Sequence, residues 1–295
     1  MVRLVALFGV FLISFSAVFV RLASVSPATA ATFRCLYALP VLVLLWRLRS
    51  GRDGRGPRER WMSFLAGAAL GLDLVFWHRA IDLIGTGLAT VLGNTQVVFV
   101  AFLAWLVHRE RPSRWALGLT PLVLVGVALL TGLGQADAYG ADPAGGVIFG
   151  LLTGLSYSAF LILLRASNRG LSTPEGPLLD ATAGAAVASL LAGLVEGGLD
   201  LVPHWPAHGW LFAVAMVSQV FGWLAITYTL PRLAALETSV LLLLQPLLTV
   251  LWGYLLFVER LSATQWAGAA LVLAGVGSLS LLGSVEKWEG RTPRE

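Results

Sequence analysis

Charge is what this sequence has least of. Of its 295 residues only 12% are Asp, Glu, Lys or Arg, and 57% are hydrophobic. A soluble globular chain carries roughly 25% charged residues, so the balance excludes a water-soluble domain. Cysteine is nearly absent as well. Cys35 stands alone inside an apolar run, which excludes an intrachain disulfide, and no Cys/His cluster has metal-ligand spacing. No metal and no cofactor are therefore expected. Alternation of apolar and polar residues is missing from long runs such as "ATVLGNTQVVFVAFLAWLV", which argues against a membrane barrel. Basic residues do not interleave with aromatics, so nucleic acid is not an expected partner. A nucleotide-binding loop, Gly-x-Ser-x-Gly and His-Glu-x-x-His are all missing, which argues against ATP drive and against an intramembrane enzyme.

What remains is a chain of long apolar runs, each near the ~20 residues that carry a helix across a bilayer. The fold class expected is an all-α integral membrane protein. Ten transmembrane helices are predicted at 4–21, 28–46, 61–79, 85–107, 113–132, 146–164, 177–196, 209–230, 235–257 and 263–283. The first run, Leu4 to Val20, exceeds the usual 7–15 residue core of a signal peptide and is read as a span. With the N-terminus inside, sixteen Lys and Arg residues fall on the inner side and three on the outer. That asymmetry places both termini in the cytoplasm of a multi-pass protein of the cell membrane.

The sequence also repeats. "ERPS" at Glu110 returns as "ERLS" at Glu259, and Gln96 and Gln245 stand the same 149 residues apart. "SFSA" at Ser14 returns as "SYSA" at Ser156. Each half then holds five helices, an odd number, so the second copy enters the membrane from the opposite side. The expected organisation is a first repeat over 1–134, a second, inverted repeat over 145–284 and a cytoplasmic tail over 285–295. Inverted repeats are the architecture of secondary transporters, with the site near the midplane between the halves.

Two five-helix halves that each close on Glu-Arg-x-Ser resemble the EamA-type members of the drug/metabolite transporter superfamily. "SPATAATFRCLYALPVLVLL" is similar to that family's second helix, with Pro27 seven residues before Arg34. "IGTGLATVLGNTQVVFVAFLAWLVHRERPS" resembles its fourth helix, and "LAALETSVLLLLQPLLTVLWGYLLFVERLS" its ninth, with Pro246. The halves differ at two places. Val97 occupies the position equivalent to Pro246, and Arg34 has no second arginine, Asp180 falling at about that place. The resemblance implies a small-molecule transporter, commonly an exporter of metabolites or amino acids.

Ionisable residues inside spans mark candidate sites, since each costs about 2.5–3.5 kcal/mol to insert. Asp73 lies about 18 Å along its predicted helix, where it could bind a substrate amine or carry a coupling proton. Trp77 shares its face. His78 could relay protons or pair with Asp82 one turn on, and could equally be an interfacial end cap. Arg34 is either a structural partner of other polar groups or an attractor for a substrate anion. Glu237 opens a polar line through Leu241, Gln245, Thr249 and Trp252 that is expected to face a cavity. Asn94, Tyr157, Gln219 and Trp223 complete the candidate pocket as neutral and aromatic groups; Gln96 points elsewhere and is expected to pack. Gly67–Gly71 and Gly146–Gly150–Gly154 have the spacing that lets helices approach closely.

The function expected is secondary active export of a small organic metabolite, amino acid-like or drug-like, by alternating access with the proton as a coupling ion. The alternative is a facilitative carrier or channel for small solutes. The partners expected are the small-molecule substrate and the lipid bilayer, with the protein a monomer or homodimer.

Overall fold

The computed structural model describes residues 1–49, 53–109, 114–130, 142–168, 173–257, 262–264, 266–275 and 278. Among these residues the chain is helical, with no strand. In hydrocarbon only internal hydrogen bonding can satisfy the backbone, and a helix achieves this within one segment. Seven helices are long and apolar enough to cross a membrane, and three shorter apolar ones accompany them, at Leu92–Val107, Leu117–Leu129 and Trp266–Gly275. The motifs at Glu110 and Glu259 and the tail 285–295 lie outside the described residues.

The order is α1 (Val2–Ala23), α2 (Pro27–Arg49), α3 (Pro57–Asn94), α4 (Gln96–His108), α5 (Arg114–Leu130), α6 (Pro143–Ser167) and α7 (Glu175–Glu196). Then come α8 (Ala207–Ala213), a π-helical segment (Val214–Gly222), α9 (Trp223–Thr229), α10 (Ala235–Leu242), α11 (Leu244–Phe257) and α12 (Trp266–Gly275). Ser24 in left-handed geometry (φ 50°, ψ 42°) ends α1, and the Asp142 side chain caps α6 through the Gly145 amide.

Helix α3 has helical backbone over 38 residues, about 57 Å if straight. It cannot be straight. Ser63 bonds to Ser167 at one end of α6, and the Leu83 carbonyl meets the Asp142 amide at the other. By Gln96, whose carbonyl accepts from Ser158, the chain has come back along α6. The reversal therefore falls between Leu83 and Leu92, where the predicted third and fourth spans divide.

The sequence-based boundaries need three corrections. The linker expected at 80–84 keeps helical backbone, and the first break comes later, at Thr95 (φ −61°, ψ −10°). There the Thr95 amide and hydroxyl both turn to the Leu92 carbonyl, tightening the chain to an i→i−3 bond. The predicted ninth span breaks in nearly the same way at Leu243 (φ −65°, ψ −9°), because Pro246 has no N–H to offer the Leu242 carbonyl. The predicted eighth span is divided by the π segment.

Helix ends meet in two sets. On the arginine face Arg3 pairs with Glu237 (2.5 Å), Arg49 with Glu175 (2.8 Å) and Arg55 with Asp180 (3.0 Å). There Arg165 donates to the carbonyls of Leu230 and Leu233, both at 2.9 Å. On the opposite face Ser26 bonds to Gly198 and Thr29 to Asp200. Helix α1 thus runs from the arginine face outward, and α6 runs toward it. Glycine sets the tightest packing. A Cβ on Gly67 would overlap the Ala181 carbonyl, and one on Gly184 the Phe64 carbonyl, so α3 and α7 touch backbone to backbone.

Candidate functional site

Arg34 stands two turns into α2, with its Nε donating to Gln219 Oε1 (3.1 Å) and its Nη1 to Ser16 Oγ (3.3 Å). Gln219 in turn donates through Nε2 to Thr182 Oγ1 (3.1 Å). One chain of neutral groups therefore ties α1, α2, α7 and the π segment around a guanidinium. No carboxylate touches Arg34 among the described residues. The π segment makes the link possible. Its extra residue per turn rotates Gln219 relative to a regular helix, a distortion common at functional positions.

Tyr157 of α6 is the second anchor. It lies within electrostatic reach of both Arg34 and Asp73, and its hydroxyl comes close to Gln245 of α11. Tyr157 is about 21 Å along α6 from Pro143 and about 15 Å from Ser167, so the group sits at mid-depth. Asp73 is 9% exposed and makes no hydrogen bond or ion pair among the described residues. Gln245 Nε2 is likewise buried without a partner. Trp223 is buried against Phe160 (4.9 Å between rings) and Tyr157 (6.4 Å). A further aromatic wall comes from Phe15 stacked on Trp252 (4.5 Å), whose Nε1 donates to Ser14 Oγ (2.8 Å).

Six of the residues singled out from sequence thus come together: Arg34, Asp73, Tyr157, Gln219, Trp223 and Gln245. The other four lie apart. Glu237 is bound to Arg3 at the arginine face, and the helix break at Leu243 ends its line toward Gln245. Asn94 gives its amide to the Thr90 carbonyl of its own helix (2.8 Å). Trp77 packs beside Ala80, Leu92 and Phe149 in a separate apolar cluster. His78 Nδ1 meets the Leu74 carbonyl (2.7 Å) rather than Asp82, and the ring borders a cavity of about 20 Å³ beside Ser189. Gln96 ties α4 to α10 through Ser239 (2.7 Å).

Two contacting residues escaped the sequence reading, Ser16 and Thr182. A signal for Ser16 existed in the "SFSA" and "SYSA" pair. Its equivalent, Ser158, also bonds across helices, to the Gln96 carbonyl (3.0 Å), and Phe15 and Tyr157 are equivalent aromatics. Thr182 carries no such mark.

Apolar helices long enough to span a bilayer, closed around a buried polar centre, define the class: a multi-pass membrane transporter. The chain belongs to the EamA-like transporter family, whose model matches residues 2–132 and 144–281. It is similar to an uncharacterized transporter of Archaeoglobus fulgidus, 27% identical over 211 residues covering 70% of this chain and 71% of that one. A second transporter of that organism is 24% identical over 280 residues, 90% of this chain and 92% of that one. A solved protein crystal structure superposes with a TM-score of 0.78 at 17% identity, covering 95% of this chain and 98% of its own. At that identity the likeness speaks for the fold alone.

Proposed function

We propose that this transporter is a secondary active exporter of a small organic metabolite, amino acid-like or drug-like. In this reading it works by alternating access between two inverted five-helix halves, 1–134 and 145–284, with both termini in the cytoplasm. The observation that carries it is the pair of ionisable groups at mid-depth, Arg34 and Asp73, placed on either side of Tyr157 without an ion pair between them. Desolvating a charge is costly, and a fold that keeps two without joining them holds them for something that arrives. Arg34 supplies N–H donors for an anionic group of the cargo. Asp73 carries the coupling proton or meets a cationic group. Trp223, Phe15 and Trp252 supply apolar walls.

Purified protein in proteoliposomes, screened against amino acids, nucleosides and cationic drugs, tests the carrier reading. The expected result is saturable flux with counterflow of preloaded cargo. Flux that rises linearly with concentration at ion-channel rates would overturn it in favour of a channel.

A further inference from the structure

A crevice of about 510 Å³ opens where α3 and α7 begin, well away from the polar centre. Arg55, Pro57, Arg60, Trp61 and Phe64 line it from the α3 side, and Asp180 from α7. It lies at the end of the spans, since Pro57 opens the span Pro57–Leu83.

Its charges are unevenly committed. Arg55 is almost wholly buried and clamps both oxygens of Asp53 (2.8 and 3.0 Å) while its Nη1 holds Asp180 (3.0 Å). Asp180 is thereby neutralised. Arg60 reaches the same carboxylate only at 3.4 and 3.5 Å. Its side chain is 51% exposed and lies 5.9 Å from the Trp46 ring. The crevice therefore has one accessible cation at its rim in excess of its acids.

Its walls are apolar in a directed way. Trp61 is 60% exposed and stacks on Phe64 at 5.2 Å. Leu65 and Leu72 are exposed farther along α3, and both share the face of Trp61 by helical spacing. A rim cation, an aromatic shelf at interfacial depth and an apolar track leading into the spans match the three parts of a phospholipid. A soluble anion would use only the first part.

We infer that this crevice binds an anionic phospholipid. The headgroup phosphate lies against Arg60, the glycerol region on the Trp61–Phe64 shelf, and an acyl chain along Leu65 and Leu72.

Native mass spectrometry and thermal unfolding of the full chain in detergent test this with three probes. They are phosphatidylglycerol, phosphatidylcholine with the same acyl chains, and inorganic phosphate. Phosphatidylglycerol is expected to stay bound and to raise the unfolding temperature, while the other two do neither. Arg60→Gln should weaken phosphatidylglycerol about fivefold, the contribution of one surface arginine near ~1 kcal/mol. Arg58→Gln, on an exposed residue outside the crevice, should leave affinity unchanged. Trp61→Ala should weaken retention with Arg60 intact. Equal binding of phosphatidylcholine, an equal effect of phosphate alone, or equal losses in Arg58→Gln and Arg60→Gln would overturn the assignment. Lipid selectivity of the unaltered chain decides the matter even if a variant fails to fold.

Discussion

Arg34 shows how much a single residue can be asked to do in a membrane. Its guanidinium has neutral partners only, Gln219 and Ser16, so its charge is solvated by dipoles and left for a further partner. Residues of this kind were legible in the sequence because ionisable groups in apolar runs are rare. Ser16 and Thr182 were not, because hydroxyls are common in membrane helices and only their neighbours distinguish them. Glu237 looked like a member of the site and instead closes a helix end against Arg3, a difference set by tertiary contacts 234 residues apart in sequence. At the membrane edge, Asp53 offers a cleaner test of single-residue electrostatics. The Arg55 guanidinium, aided by the Trp46 indole N–H, holds its carboxyl below the usual carboxylate range. The stabilisation is full above the unfolded pKa, about 3.9, and is lost as pH falls through the lower folded value. The gap in thermal stability between wild type and Asp53→Asn should therefore be constant near neutrality and shrink in acid below about pH 4. A gap that does not change with pH would contradict this.

Among the elements, the ones that depart from regularity serve the site. The breaks at Thr95 and Leu243 have nearly the same backbone angles, yet only the second is announced by a proline. The first depends on a threonine hydroxyl turning back on its own helix, which no residue pattern signals. The π segment was equally silent, having neither proline nor charge to mark it, although Gln219 reaches both Arg34 and Thr182 from within it. The reversal between Leu83 and Leu92 was visible as a gap between predicted spans, while its helical backbone was not. Close packing was more legible, since Gly67 carries the spacing that permits it, and Gly184 receives α3 from the other side. Leucine at either position must push a carbonyl of the partner helix aside. Gly67→Leu and Gly184→Leu should each lower stability by about 1–3 kcal/mol or more, read as a lower unfolding temperature in detergent. Gly118→Ala, with open space around the added methyl, should be neutral or slightly stabilising. Tolerance of leucine at Gly67 would show that α3 and α7 do not meet as closely as described.

For the molecule as a whole, the distribution of charge between the two faces is the organising feature. The ion pairs Arg3–Glu237, Arg49–Glu175 and Arg55–Asp180 each join a helix of the first half to one of the second, and all lie on the arginine face. The opposite face is joined through hydrogen bonds of Ser26, Thr29 and Tyr37. A polar centre lies between them, sealed from the arginine face by charge and from the other by weaker contacts. In the proposed cycle these sets open in turn, and Asp73 links the turn to a proton. Proton-driven flux therefore tests the account most directly. In proteoliposomes carrying an imposed pH gradient, wild-type flux should follow the gradient. Asp73→Asn should still exchange cargo down its own gradient and show no response to pH. An Asp73→Asn protein whose flux follows the pH gradient as the wild type does would contradict the account.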